Sequence, residues 1–151
     1  MYTSLILANN ILHRFENGIT LMKLQRLLYI VYKEYLDKTG LKLFNEPFEA
    51  WEYGPVVRCV YDEFKTFETR NIIAYSKNAV GKSFIVSEEK DLNLKVILYD
   101  SMAKYGHMTG IELSKLICNN KNSAWKKSYV LKSHIILDDD IRKEQLYITI
   151  K

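Results

Sequence analysis

Proline and cysteine are scarce in this sequence, with two of each among 151 residues. Cys59 and Cys118 stand far apart, each among apolar residues of helical character, and no C-x-x-C pair exists. Without that spacing, a zinc knuckle or a thioredoxin-like redox site has no support. We expect two small buried thiols in a reduced compartment, with a disulfide between them as the minor alternative.

Long hydrophobic runs are also missing from the chain. A membrane-spanning helix needs about 20 consecutive, mostly apolar residues. The N-terminus, MYTSLILANNIL, has a short apolar run without a preceding basic region, so it does not resemble a signal peptide. We therefore expect a cytoplasmic protein without a membrane partner, and we expect residues 1–151 to form a single domain.

The residue spacings of common catalytic and cofactor sites are absent as well. The three histidines are isolated, so they offer no metal-ligand cluster. The stretch AVGKS resembles the end of a phosphate-binding loop, but Ser76 stands where the first glycine is required and strand-like residues follow. No Gly-x-Ser-x-Gly elbow occurs, and the glutamates at positions 46, 49 and 52 are typical of a solvated edge. We expect no enzyme activity, no cofactor and no metal.

The net charge of +4 arises in the second half of the chain. Nine basic and nine acidic residues precede position 76, whereas thirteen basic and nine acidic residues follow from there. The segment 113–137 contains no acid and five lysines: Lys115, Lys121, Lys126, Lys127 and Lys132. This asymmetry is typical of a surface that meets an anionic partner.

Apolar periodicity predicts a mainly α (α+β) fold, a compact helical domain of about five to six helices. The first helix is expected to end at Gly18, and the second is expected to lie between a Thr20 cap and Gly40. A fourth helix should end near Gly106, and Thr109 should begin a fifth with a capping box. Shorter segments should follow a Ser123 cap and the acidic run 138–140, the last of them holding Ile141, Leu146 and Tyr147.

Two segments break the helical period. The stretch FEAWEYGPVV, from Phe48, predicts a short strand-like segment, a turn at Gly54 and a third helix with Pro55 at its first position. Residues 72–75 and 84–86 are rich in strand-forming side chains, and they are predicted to pair as a small β-hairpin around Gly81.

The aromatic side chains of the first of these segments have two interpretations. Trp51 and Tyr53 are large enough to anchor the strand to a helical core. They are also the kind of residue enriched at interaction hot spots, so they suit a partner-facing patch. If Trp51 lies in the core, its replacement by alanine should cost about 3–5 kcal/mol.

The basic segment 113–137 is similarly ambiguous because its lysines alternate with Trp125 and Tyr129. Phosphate contact together with base stacking would use these residue types. The simpler interpretation is a surface turn whose aromatic rings fold inward while the lysines remain in water. The residues proposed for nucleic-acid contact are Lys121, Lys126, Lys127 and Lys132.

Three stretches together resemble the Panacea domain, the SocA-like antitoxin family: LANNIL, ITLMKLQRLLYIVYKEYL and LFNEPFEAWEYGPVVRCVYDEF. The match covers close to half of the chain, and Arg26 stands where the family usually has lysine. The later stretches LSKLICNNKNSAW and ILDDDIRKEQLY resemble the family's closing segments. The family-motif residues, with either a structural or a partner-binding role, are Lys23, Gln25, Tyr29, Trp51, Tyr53, Gly54, Pro55 and Tyr61.

This resemblance implies an antitoxin of a bacterial or phage type II toxin–antitoxin system. It implies that the protein neutralises a cognate toxin by direct protein–protein binding, or as an adaptor that delivers the toxin to a protease. No catalytic residue is carried over from the family. The alternative function is a nucleic-acid-binding regulator that uses the basic segment 113–137.

Overall fold

The structure, a computed structural model, describes residues 1–146. Tyr147, which the sequence placed in the last segment, lies outside this range. Within it the chain forms seven α-helices and one two-stranded sheet. In chain order these are α1 (Ser4–Leu12), α2 (Leu21–Thr39), β1 (Phe48–Trp51), β2 (Gly54–Val57), α3 (Arg58–Phe64), α4 (Leu92–Tyr105), α5 (Gly110–Asn119), α6 (Ala124–Val130) and α7 (Asp138–Lys143). The mainly α fold class is confirmed.

Helix α2 is the centre of the domain, since α1, α4, α5, α7 and β2 all contact it. Its apolar stripe is fully buried at Leu24, Leu28 and Val31. The predicted caps are confirmed: the Thr20 side chain accepts the amide of Lys23, and Gly40 closes the helix with φ +73°. Helix α2 therefore provides the common surface against which the surrounding helices and β2 pack.

The β-hairpin exists, but the sequence placed it in the wrong segment. Strands β1 and β2 pair antiparallel, with Trp51 opposite Gly54, so Glu52 and Tyr53 form a two-residue turn. Gly54 has φ +142°, a conformation that side-chain-bearing residues rarely adopt. Residues 73–86, by contrast, contain no strand, and the predicted pairing around Gly81 is wrong.

Two buried asparagines of α1 explain why residues 76–86 do not need a partner strand. The Asn9 side chain accepts the amide of Ser76 at 2.8 Å and donates to the carbonyls of Ser76 and Phe84, both at 3.0 Å. The Asn10 side chain bonds both the amide and the carbonyl of Val86, at 2.8 and 3.0 Å. Side-chain amides therefore satisfy backbone groups that a hairpin would otherwise have paired.

Helix α3 begins at Arg58, so the prediction that Pro55 opens this helix is wrong. Pro55 lies within β2 and is opposite Ala50. The amide of Ala50 points away from Pro55 and donates to the carbonyl of His134 at 2.9 Å. Since this position of the ladder does not use a proline N–H, the strand tolerates Pro55.

Other local predictions have mixed outcomes. Helix α1 ends at Leu12, before the expected stop at Gly18. The capping box at Thr109 and the cap at Ser123 are confirmed. Cys59 and Cys118 are free, half-buried thiols, and burial raises the pKa of both.

None of the helices within residues 1–146 is long and apolar enough to cross a membrane.

Candidate partner-binding groove

A groove of about 620 Å³ opens between the hairpin turn, the N-terminal ends of α2 and α5, and the segment after α3. Its apolar lining includes Met22, Trp51, Tyr53, Val56, Tyr61 and Ile111. Tyr53 and Ile111 are 66% and 62% exposed, so two large side chains stand open to solvent at its edge. Concave apolar surfaces with a few polar groups are the usual form of a binding site.

Arg26 forms part of the floor of this groove and is only 3% exposed. Its guanidinium donates to Ser114 Oγ at 2.8 Å and to the carbonyls of Pro55 and Tyr53 at 2.7 and 2.9 Å. No carboxylate of residues 1–146 lies within ion-pair distance, and burial lowers the pKa of Arg26 to about 10. This one side chain therefore ties the hairpin turn to both α2 and α5.

Gln25 and Gly54 complete the attachment of the hairpin to α2. The Gln25 amide exchanges two hydrogen bonds with the backbone of Val57, at 3.0 and 3.1 Å, which closes the outer edge of β2. A Cβ atom at Gly54 would lie 2.6 Å from Arg26 Cζ. Glycine is thus required both for its backbone conformation and for the close approach of Arg26.

Lys23 and Tyr29 serve contacts elsewhere on α2. Tyr29 is fully buried and its hydroxyl donates to Glu144, just beyond α7. The Lys23 ammonium donates to the carbonyl of Gly106 at 2.5 Å and lies 4.9 Å from the centre of the Phe15 ring. Neither residue lines the groove, so the structure separates these two from the groove-facing members of the family motif.

Trp51 and Tyr53 form a wall of the groove and are not in the core. The half-buried Trp51 ring lies 4.8 Å from the Tyr61 ring and 5.2 Å from the Arg58 guanidinium. Glu49 accepts the Trp51 indole N–H at 3.2 Å and two bonds from Arg58, and the bonds from Arg58 lower the pKa of the Glu49 carboxyl. These contacts fix the orientation of the indole, and they give Glu49 a structural role that the sequence did not predict.

The basic segment forms a second, wider cleft of about 840 Å³. Lys121, Lys126 and Lys127 line it together with Lys143, whereas Lys132 does not. Lys127 is paired with the buried Asp140 at 2.8 Å, because α7 folds back against α6. The segment 113–137 contains no acidic residue, but in the folded chain the carboxylate of Asp140 lies beside it.

The aromatic residues of the basic segment are partly committed to internal contacts. Trp125 and Tyr129 stack on each other with ring centres 4.8 Å apart. The Trp125 indole N–H donates to the carbonyl of Trp51 at 2.5 Å, which attaches α6 to β1. The lysines are exposed and the Trp125 ring packs partly buried against the core, as the surface-turn interpretation expected, but the Tyr129 side chain is 43% exposed and does not fold inward.

Sequence reasoning missed the side of the groove formed by α5. Ile111 is the second residue of α5, two positions after the capping residue Thr109. The sequence predicted only the capping box here, and it gave no sign of a binding surface. Gly110 lets α5 approach α2 closely, since a Cβ atom there would lie 3.0 Å from the backbone nitrogen of Lys23. No spacing along the chain indicates that Ile111 lies across the groove from the hairpin.

Comparison with known proteins gives two matches. A family model described as "Antitoxin SocA-like, Panacea domain" matches residues 24–126, a range that includes both the hairpin and α5. Antitoxin SocA of Caulobacter vibrioides (strain NA1000 / CB15N) is 33% identical over 98 residues, which cover 63% of this chain and 52% of that protein. The chain thus spans about half the length of this curated relative. No solved structure matches the chain.

Proposed function

The chain belongs to the family described as "Antitoxin SocA-like, Panacea domain", and from this premise we propose that it is an antitoxin. It neutralises a cognate toxin of a bacterial or phage type II system by direct protein–protein binding, without a catalytic step. The observation that supports this function best is the exposed apolar groove beside the hairpin.

The groove is the proposed contact face for the toxin. Large exposed apolar side chains such as Tyr53 and Ile111 gain free energy when a partner removes them from water. Trp51 and Tyr61 add the aromatic surface that is enriched at interaction hot spots. Lys23, Gln25, Tyr29, Gly54 and Pro55 have structural roles in this proposal: they hold the surfaces that the toxin contacts.

The test is co-expression of the chain with the product of the adjacent open reading frame, with growth rescue and co-purification as readouts. We expect rescue and a stable complex for the wild type, and loss of both for Ile111→Asp. Leu92→Asp is the matched control, because Leu92 is 65% exposed near the start of α4 and lies outside the groove. Full rescue by a folded Ile111→Asp variant would contradict the groove as contact face.

Proteolytic delivery is a mechanistic variant of this proposal. An adaptor must bind toxin and protease at separate surfaces at the same time, whereas a simple inhibitor needs only one. Measurement of the toxin's half-life with and without this chain distinguishes the two mechanisms. Degradation that requires the chain favours delivery, and a stable, inactive toxin favours blocking.

Nucleic-acid binding is the second candidate function, and the lysine-lined cleft at α6 is the observation that favours it. Phosphate contacts would make the affinity fall steeply with salt concentration. We expect Lys126→Ala/Lys127→Ala to weaken any shift of operator DNA in a gel. A shift that is unchanged by this double substitution would remove the segment 113–137 from the proposal.

A further inference from the structure

The groove is apolar inside and carries acidic groups among its lining residues. Glu52 lies in the hairpin turn and Glu68 follows α3; both are exposed and both line the groove. Neither carboxylate lies within 4.0 Å of a cationic side chain among residues 1–146. Among residues 1–146, the cationic residue that lines the groove is Arg26. It is buried, and its guanidinium donates to Ser114 and to backbone carbonyls.

Two cationic side chains next to the groove have partners of their own. Arg58 lies over the Trp51 ring, but its guanidinium is engaged by Glu49 at 3.0 and 3.1 Å. Lys23, in the first turn of α2, donates to the carbonyl of Gly106. The exposed charged side chains among the lining residues within 1–146 are therefore the carboxylates of Glu52 and Glu68, although the whole chain has a net charge of +4.

We propose that the groove recognises a partner segment in which an apolar side chain is flanked by lysine or arginine. This inference rests on the proposed function, since the segment belongs to the toxin. The apolar side chain fills the groove between Tyr53 and Ile111, and the flanking cations pair with Glu52 and Glu68. Pairs of this kind contribute mainly to specificity and to the rate of association, because both carboxylates remain in contact with water.

The shape of the groove is set before the partner arrives. Arg26 holds the backbone of the turn at Tyr53 and Pro55, and Gln25 holds Val57. A preformed site avoids the conformational entropy cost of ordering a loop on binding. The second cleft, lined by lysines, has the opposite charge, so cationic flanks direct a segment to the groove and away from that cleft.

The test begins with a display library of random 12-residue peptides selected against the intact chain. We expect enrichment of peptides with an apolar residue flanked by lysine or arginine. The best peptide is then labelled with fluorescein, and its binding is measured by anisotropy beside versions with glutamine or glutamate in place of the cations. The affinity should fall in the order cationic, neutral, acidic, by about tenfold between the first and the last.

Charge reversal on the chain is the reciprocal measurement. In the variant Glu52→Lys/Glu68→Lys we expect the cationic peptide to bind about tenfold more weakly and the order of the three peptides to reverse. Glu16→Lys/Asp100→Lys is the matched control, because it changes the net charge equally at exposed positions outside the groove. In Ile111→Asp, binding of all three peptides should fall.

Each other outcome overturns the inference: no enrichment, enrichment without cations, or three peptides of equal affinity. The growth-rescue experiment separates this failure from failure of the proposed function. If Ile111→Asp abolishes rescue while the charge preference is absent, the antitoxin proposal stands and the chemistry of the partner segment is wrong. If rescue itself fails, the antitoxin proposal is wrong whatever the peptides show.

Discussion

Residues of one family motif lie in two different environments: on the inward side of α2, and on the outward side of the hairpin turn. Gln25 and Tyr29 are buried, and their polar groups bond Val57 and Glu144. Trp51 and Tyr53 lie only a few residues before Val57, yet one is half-buried and the other is 66% exposed.

This contrast shows that a motif that identifies a family need not describe one site. The inward residues hold the hairpin and α7 against α2, so a change there should act on folding stability. The outward residues contribute little to the core, so a change there should act on binding. Measurements of stability and of toxin rescue on the same variants separate these two roles.

Replacement of Arg26 should give the largest loss of stability. Arg26→Met removes the donors for two backbone carbonyls and for Ser114 Oγ in a buried site. Unsatisfied buried groups each cost about 1–3 kcal/mol, and we expect a total loss of about 3 kcal/mol in the free energy of unfolding. Urea denaturation measures it. Arg58→Met, at an exposed position, is the control; equal losses in both variants would contradict the anchoring role of Arg26.

The Glu144 carboxyl should make the stability of the inward region depend on pH. Burial raises its pKa from 4.5 to about 7, although bonds from Tyr29 and Asn120 act in the other direction. Between these two values the folded chain binds a proton that the unfolded chain does not bind. The contribution of Glu144 to stability is therefore complete below pH 4.5 and is lost as the pH rises through 7.

The decline in this window should be on the order of 1 kcal/mol per pH unit. Comparison of urea denaturation curves for the wild type and Glu144→Gln between pH 5 and pH 8 isolates it, since glutamine does not titrate. Parallel pH profiles for the two proteins would show that Glu144 titrates normally in the folded state.

Trp51→Ala should have a smaller effect on stability, about 1–2 kcal/mol, because the ring is half-buried in the groove wall. The thermal midpoint should fall modestly while toxin rescue is lost. A loss of 3–5 kcal/mol would instead place the ring in the core, as one interpretation of the sequence expected.

Tyr53→Ala should have the smallest effect on folding, within about 0.5 kcal/mol, as is usual for exposed positions. The same variant should weaken binding of the toxin, which isothermal titration calorimetry measures directly. If the variant binds as tightly as the wild type, the contact face for the toxin does not include the hairpin turn.

Sequence reasoning succeeded where structure is determined by near neighbours. The caps at Thr20, Gly40 and Thr109 follow from short-range patterns, and all three are confirmed. The misplaced hairpin shows the limit of this approach. Asn9 lies 67 residues before Ser76, so nothing local to that segment indicated that a helix would satisfy its backbone.

The residues of the candidate site also fall into two groups: those that the sequence indicated and those that only the folded structure reveals. Trp51 and Tyr53 stood out because they are large aromatic residues beside a turn. Ile111 did not stand out, and Arg26 did so only as a departure from the family pattern. The importance of both depends on the packing of α2 against α5 and on the glycines that permit it. The pairing of Lys127 with Asp140 was missed for the same reason, since α6 and α7 meet only in the folded chain.

The two asparagines of α1 have a consequence for how this surface can evolve. Asn9 and Asn10 bond backbone atoms of residues 76, 84 and 86 and none of their side chains. Exposed side chains in this segment, such as those of Val80 and Phe84, can change without loss of those bonds. Mutations there can accumulate while the path of the backbone is inherited unchanged, so new surfaces can be sampled at little risk to folding.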